Sequence, residues 1–334
     1  MKKLRCSILW WLFFYFLAGG LLSPALSAKE KEKPGLGNTV GSSLPLKLSG
    51  YAQLQLSEKN TENLTFFINR ARFSLAGALT RWLRFKLQAD VAKSPVLRDA
   101  LAEVILSEKI NLRLGQFIVP FGLENTTSAG ELLTINRSQT VDLLAPGRDN
   151  AAAGRDQGVM LFGHYSVFEY HLGLFNGSGI NRKDDNDHKD FSFRVLLRAA
   201  PGLKAGFSVY QGRKRAAENT TNLVRNKYGL EASFTRERFL LNAEYLRATD
   251  GQQKKQGGYV LLAYSVKPEK LQLIGRLETV NLDLSLAGQK STVYTAGVNW
   301  FITSKSKLQI NYEYHDRQAD ANIRAFLVQL QVGF

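Results

Sequence analysis

From Lys47 to the carboxyl terminus, apolar and polar residues alternate with a period of two, the mark of β-strands whose two faces meet different media. Leu83, Phe85, Leu87 and Ala89 alternate with Arg84, Lys86, Gln88 and Asp90; Phe191, Phe193, Val195 and Leu197 alternate with Ser192, Arg194 and Arg198; Tyr294, Ala296, Val298 and Trp300 alternate with Thr295, Gly297 and Asn299. The pattern predicts about sixteen strands of about eight to twelve residues, at 47–56, 65–79, 82–91, 98–107, 110–118, 155–164, 167–176, 190–199, 203–211, 226–235, 238–247, 257–266, 270–281, 291–302, 306–315 and 323–334. Tight turns such as Thr80-Arg81, Tyr165-Ser166 and Arg236-Glu237 alternate with longer polar segments at 57–64, 177–189, 212–225 and 248–256. Strands joined in succession by hairpins imply an all-β fold, an up-and-down antiparallel transmembrane barrel, apolar outward and polar inward, with short periplasmic turns and long external loops. A soluble sandwich would need a second sheet over each apolar face and connections crossing between layers.

Proline placement agrees with these strands. Pro34, Pro45, Pro95, Pro120, Pro146, Pro201 and Pro268 all fall outside them, as they must where a lost ladder hydrogen bond could not be replaced by lipid. The longest interruption runs between Pro120 and Pro146, after the strand INLRLGQFI and before GRDQGVMLFG. Residues 119–154 are therefore expected to form the third external loop, folded back into the lumen to constrict it. The last strand, IRAFLVQLQVGF, turns Phe326, Val328, Leu330, Val332 and Phe334 one way and Gln329 and Gln331 the other, and a terminal Phe resembles the signal read by barrel-assembly machinery.

The amino terminus sets the compartment. Lys2, Lys3 and Arg5 precede an apolar run from Ile8 to Leu22, and Ala25-Leu26-Ser27-Ala28 offers small residues for cleavage. Residues 1–28 are expected to be a signal peptide and 29–46 a periplasmic lead-in to a barrel over 47–334. The apolar run is about fifteen residues, short of the about twenty a spanning helix needs. Cys6 lies before it, so a chain cleaved after Ala28 has no thiol or disulfide chemistry. Of the formal charge of +15, three units belong to the leader, which leaves roughly +12 on the barrel. The basic residues are dispersed along alternating strands and an exported chain meets little nucleic acid, so nucleic-acid binding is set aside.

Catalytic chemistry finds no support. His164, His171, His188 and His315 are the histidines; His164 and Ser166 share a tight turn without a triad, and no G-x-S-x-G occurs. His171 and His315 fall on the inward parity next to Glu169 and Glu313, as expected of hydrogen-bonded lumen pairs. Asp184, Asp185, Asp187 and Asp190 form an acidic stretch without the spacing of a calcium loop, so it reads as a solvated turn. No phosphate-cradling or zinc motif is present, and no cofactor or metal is expected.

NRARFSLAG at 69–77, LRLGQFIVPFGLE at 112–124, GRDQGVMLFG at 154–163, YHLGLFNGSG at 170–179 and the closing Phe334 together resemble the phosphate-selective porins O and P. The resemblance implies a sixteen-stranded, trimeric, outer-membrane anion porin whose third loop enters the lumen, in contact with lipid and lipopolysaccharide and passing small anions, phosphate first among them. It further implies an inward arginine track, and alternation supplies the candidates: Arg70, Arg72, Arg84, Lys86, Arg113, Arg155, Arg194, Arg198 and Arg276. Paired planar donors suit phosphate oxygens, so such a track would ease the stripping of an anion's water. Arg70 and Arg72 lie two apart with no acid between them, while Arg113 and Arg155 sit on the strands that bear the long loop. Inward Asp90, Asp99, Glu103, Glu169, Glu231, Glu244, Glu278 and Glu313 oppose them. A weakly selective general porin with cancelling lumen charges is therefore the alternative, and a barrel enzyme a more distant one. Arg213-Lys214-Arg215 and Lys254-Lys255 could serve as a funnel or meet lipopolysaccharide phosphate.

Overall fold

The computed structural model describes residues 45–215, 222–318 and 320–334. The leader and all but the end of the lead-in lie outside the described residues. The strands are β1 (Leu46–Lys59), β2 (Glu62–Ala78), β3 (Leu83–Asp90), β4 (Leu97–Ile105) and β5 (Asn111–Ile118), then after the long loop β6 (Arg155–Tyr165), β7 (Phe168–Phe175) and β8 (Asp190–Ala200). They continue as β9 (Leu203–Arg215), β10 (Asn222–Arg236), β11 (Phe239–Asp250), β12 (Gln253–Lys267), β13 (Leu271–Asn281), β14 (Lys290–Phe301), β15 (Lys307–Arg317) and β16 (Ile323–Gly333). Each pairs antiparallel with its neighbours in sequence, and β1 pairs with β16, so the sixteen strands close into one barrel. Within the long loop lie two short helices, α1 (Leu123–Thr126) and α2 (Gln139–Leu144).

The faces are inverted relative to a water-soluble protein. Outward Leu48 and Phe66 are 64% and 74% exposed, while inward Gln53 and Asn311 are fully buried. The outer surface is left for hydrocarbon, and the polar groups of the wall are satisfied inside.

All sixteen expected strands are present, but three expected loops are mostly ladder. Of 57–64 only Asn60 and Thr61 lie outside strand, pairing runs to Lys59 and Glu62, and β11 and β12 pair as far as Asp250 and Gln253. Likewise β9 and β10 remain paired out to Arg215 and Asn222. Polar residues at the external end read as loop because they leave the apolar alternation. Outside the hydrocarbon layer a hairpin has no need of that alternation and continues on backbone hydrogen bonds alone. The break at 177–189 does separate β7 from β8, yet Asp190, grouped by sequence with the acidic loop, is fully buried in the wall.

The terminal residue extends the β1–β16 seam by one pair. The backbone N–H of Phe334 donates to the Gly50 carbonyl (3.0 Å) and the Gly50 N–H returns a bond to the Phe334 carbonyl (3.3 Å). The Phe334 ring lies so close over Gly50 that a Cβ there would meet it at 2.7 Å and the Arg72 carbonyl at 2.5 Å. Phe73, on the next strand, holds the other side of that ring, centroids 6.2 Å apart. Gly50→Val is therefore expected to displace Phe334 and weaken the seam. On cold electrophoresis the compact, heat-modifiable species should fall severalfold against the wild type; an unchanged yield of folded barrel would show that the seam tolerates a side chain there.

Candidate functional site: the lumen and its long loop

An apolar patch breaks the polar rule of the inner wall. Tyr210, Leu246, Ala248, Tyr259, Leu261, Ala263, Ile274 and Val280 of β9 and β11–β13 form one buried cluster with Val119, Phe121, Val141, Leu144 and Ala145 of the long loop. Burial of these faces against each other draws the loop to that side. Hydrogen bonds then fix its path along the wall. Ser192 donates to the Pro120 carbonyl (2.9 Å) and Ser208 accepts from the Gly122 N–H (3.0 Å). The Glu244 carboxylate accepts the N–H groups of Leu123 (2.7 Å) and Glu124 (2.8 Å), donors that the first turn of α1 leaves free. Further along, Arg276 donates to Thr134 (2.8 Å), Asn311 accepts from the Ile135 N–H (2.7 Å), and Lys307 donates to the Leu132 carbonyl (2.6 Å). Gln331 and Gln53 reach the carbonyls of Gly130 (3.2 Å) and Ala129 (3.5 Å). The loop's return leg is held by Asp149, which accepts from Lys227 (2.7 Å) and is paired with Arg225.

With the loop occupying the side of β8–β16 and β1, free space remains toward β2–β7. A cavity of about 680 Å³ opens there, lined among others by Arg84, Lys86, Glu103, Arg113, His171 and Arg194 and roofed by Pro120 and Thr126 of the loop.

Where the loop meets β2, cations gather. A register shift between Gln53 and Leu54 places Arg70 opposite Gln53 and Ile68 opposite Leu54, an irregularity at Asn69 that keeps Arg70 and Arg72 facing in after the outward Phe66 and Ile68. Arg70 donates to Gln53 (2.7 Å) and lies within the fields of Arg72, Arg137 and Asp90. Arg72 is bound by Asp90 (2.9 Å) and its guanidinium carbon stands 6.0 Å from the Tyr51 ring centre. Arg137 reaches in from the loop, with one nitrogen on the Thr127 carbonyl (3.0 Å). Lys93 approaches from the β3–β4 loop, touching Asn69 at 3.4 Å; burial first and Arg70 beside it push its ammonium below the ordinary lysine range. Arg98 completes the group within the fields of Asp90, Arg72 and Arg155. Arg98 Nε, Arg137 Nη1 and the Tyr51 hydroxyl are all buried without a hydrogen-bond partner among the described residues. Four cationic side chains, Arg70, Arg72, Lys93 and Arg98, share the field of Asp90, with Arg137 beside Arg70 and Asp99 beyond Arg98; cations in excess of carboxylates, with unmet donors, make a locus that favours an anion.

The structure divides the nine residues expected from alternation. Six are ion-paired: Arg72 with Asp90, Lys86 with Asp99 (2.8 Å), Arg113 with Glu103 (2.6 Å), Arg155 with Asp99 (2.6 Å), Arg194 with Glu231 (2.7 Å) and Arg276 with Glu278 (3.1 Å). The acid missing between Arg70 and Arg72 in sequence is supplied across the ladder by β3, where Asp90 is the register partner of Arg72. Arg155 is 3% exposed and bound to Asp99 and Gln88, so it braces the wall by tying β6 to β4 and β3. Arg276 is buried beneath the loop against Glu124, Glu278 and Thr134, out of reach of the open side. Arg84 and Arg198 are exposed and form no ion pair among the described residues; Arg84 faces the cavity, and Arg198 sits at the turn end opposite Lys204. His315 bonds Glu313 at 3.2 Å, while His171 lies 3.7 Å from Glu169. Sequence reasoning missed Tyr51, Lys93, Arg98 and Arg137. Arg137 was open to discovery, since any basic residue on a loop folded inward must meet the wall.

A closed barrel of sixteen antiparallel strands, apolar outside, charged within and carrying a loop along its inner wall, defines an outer-membrane porin. The chain belongs to the phosphate-selective porin O and P family, whose model matches residues 49–225 and 211–332. Solved structures share the fold at low identity. OmpT of Vibrio cholerae, an outer membrane protein in its trimer form, is 15% identical with a TM-score of 0.68 over 86% of this chain and 99% of its own. An anion-selective porin from Comamonas acidovorans is 12% identical with a TM-score of 0.69 over 87% and 100%. OmpF of Salmonella typhi, in complex with daunomycin, is 11% identical with a TM-score of 0.64 over 86% and 97%. A search of curated proteins finds no match.

Proposed function

We propose that this porin is a water-filled diffusion channel that prefers anions, with phosphate or a similar small oxyanion as its solute. The observation that carries the reading is the cluster of Arg70, Arg72, Lys93, Arg98 and Arg137, in which Asp90 and, beyond Arg98, Asp99 are the carboxylates, with buried donors on Arg98 and Arg137 that have no partner among the described residues. An oxyanion entering it exchanges water for guanidinium N–H groups. The long loop narrows the lumen toward β2–β7, so a solute passes the cluster and then the cavity lined by Arg84, Lys86, Arg113 and Arg194. No covalent step is required. Export by a leader cleaved after Ala28 and assembly as a homotrimer belong to the same proposal; the trimer form of the Vibrio cholerae relative and the closed pore of each protomer support it.

Pairing of six of the nine wall cations favours the competing reading, a general porin of weak selectivity. Reversal potentials across a planar bilayer in a chloride gradient separate the two. An anion-directed potential, with chloride current blocked by added phosphate, is expected; a potential near zero and no block would leave a general porin.

A further inference from the structure

The outer wall carries a second charged feature, away from the lumen. Toward the external end of β10–β14 the register sets Tyr228, Arg247, Gln256, Asn281 and Lys290 side by side in one outward row. Lys254 stands one rung above, opposite Thr249 and diagonal to Arg247. Arg247, Lys254 and Lys290 are exposed and form no ion pair among the described residues. Lys255, the neighbour of Lys254 in sequence, turns inward to Asp250 (2.7 Å), so the dibasic run is split between lumen and exterior. Two carboxylates lie near the row among the described residues, Asp316, paired in register with Thr292 a rung from Lys290, and Asp283, beside Gln253 on the segment whose Leu284 N–H donates to the Lys254 carbonyl (2.9 Å); neither forms an ion pair with Arg247 or Lys254.

Beneath this belt the surface is hollowed. Leu262, Gly275, Ala296 and Tyr312 form an outward row, with Leu277 and Tyr294 just above, around a cavity of about 480 Å³. Gly275 supplies the floor, since a Cβ added there would meet nothing within 4 Å. The hollow lies four to six residues from the belt along β13, about 13–20 Å, which is the acyl depth of a leaflet whose headgroups stand at the belt. Cations and amides at headgroup height, in register above a smooth apolar groove, match a lipid that has a phosphorylated, hydrogen-bonding head and stiff acyl chains.

We infer that this face is a specific site for the lipid A moiety of lipopolysaccharide, with Arg247 and Lys254 on a phosphate, Gln256 and Asn281 on the sugar and one acyl chain along Gly275. The inference rests on the outer-membrane reading of the barrel. Charge complementarity selects the occupant: a zwitterionic lipid would gain little from the unpaired cations, and a copy of this chain would bring its own basic belt against them.

The test uses the full mature protein in detergent, titrated with phosphorylated lipid A, enzymatically dephosphorylated lipid A or phosphatidylglycerol, and read by native mass spectrometry. Phosphorylated lipid A is expected to be retained at least about tenfold more tightly than either other lipid. Arg247→Gln with Lys254→Gln should remove that margin, and Gly275→Leu, which fills the groove, should weaken retention of both forms of lipid A. Equal retention of the phosphorylated and dephosphorylated forms, equal retention of phosphatidylglycerol, or wild-type retention by the charge variant would overturn the site. Conductance separates this from the channel reading, because these residues face away from the lumen. A barrel that conducts anions but keeps no lipid A loses only the present inference, and one that keeps lipid A without conducting anions loses only the channel.

Discussion

Changing Arg70 and Arg137 together to glutamine is expected to raise the phosphate concentration that half-blocks the chloride current by about a hundredfold, with smaller loss from either change alone. A hydrogen bond to a charged group contributes about 1.5–3 kcal/mol, and about 1.4 kcal/mol is tenfold in affinity. Glutamine keeps a polar group of similar reach, so packing against Gln53 and the Thr127 carbonyl is disturbed least. Arg72 is the wrong residue to test first. Its removal would leave the Asp90 carboxylate buried and unpaired beside the path, and repulsion of the anion would then be confused with loss of a donor. Arg198→Gln at the turn end serves as the control, with no change in block expected. Should the double variant stay within about threefold of the wild type, the anion would have to be held elsewhere, and the cavity beside Arg84 and Arg113 becomes the next place to look.

Much of the fold was legible because the barrel wall answers to one local rule. Alternation over Leu83–Asp90 or Tyr294–Trp300 reports two media, and the positions of Pro120 and Pro146 show where the ladder stops. The external hairpins were not legible, since strand formation above the hydrocarbon layer leaves no hydrophobic trace. The candidate site was half legible for a different reason. Parity tells which way Arg70 and Arg72 point, but ion pairing follows register between strands, as Arg72 with Asp90 and Arg113 with Glu103 show. The destination of the long loop did leave a signal. Leu246, Ala248, Leu261, Ala263, Ile274 and Val280 are apolar at positions whose parity faces the lumen, where water would be a poor neighbour. An apolar patch on an inner wall implies a cover, and residues 119–154, the longest excursion between described strands, reach it. Once the loop is laid there, Arg137 is carried toward β2 and the anion locus follows.

That dependence makes the loop's attachment the second large lever on function. Asp149→Ala is expected to widen the channel, raising single-channel conductance by about half or more, and to lower selectivity and heat stability together. Arg225 and Lys227 have side chains only 3% and 1% exposed, and Asp149 is the carboxylate both share. Removal of one partner from such a buried group costs about 3–5 kcal/mol because Lys227 is left uncompensated while Arg225 keeps only Asp190, at 4.0 Å. Water must then enter behind the return leg, or the leg must leave the wall; either opens the lumen that the loop had filled. Replacing the cation left without its carboxylate by a residue of similar volume, Lys227→Met in the Asp149→Ala background, should recover narrow conductance and heat resistance, since Arg225 still faces Asp190 at 4.0 Å. Anion preference in that double variant should also return toward the wild type if Arg137 is brought back to Arg70. Wild-type conductance in Asp149→Ala would instead mean that Glu244, Asn311 and the apolar cluster hold the loop without help, leaving the Asp149 contacts to satisfy buried charge and no more.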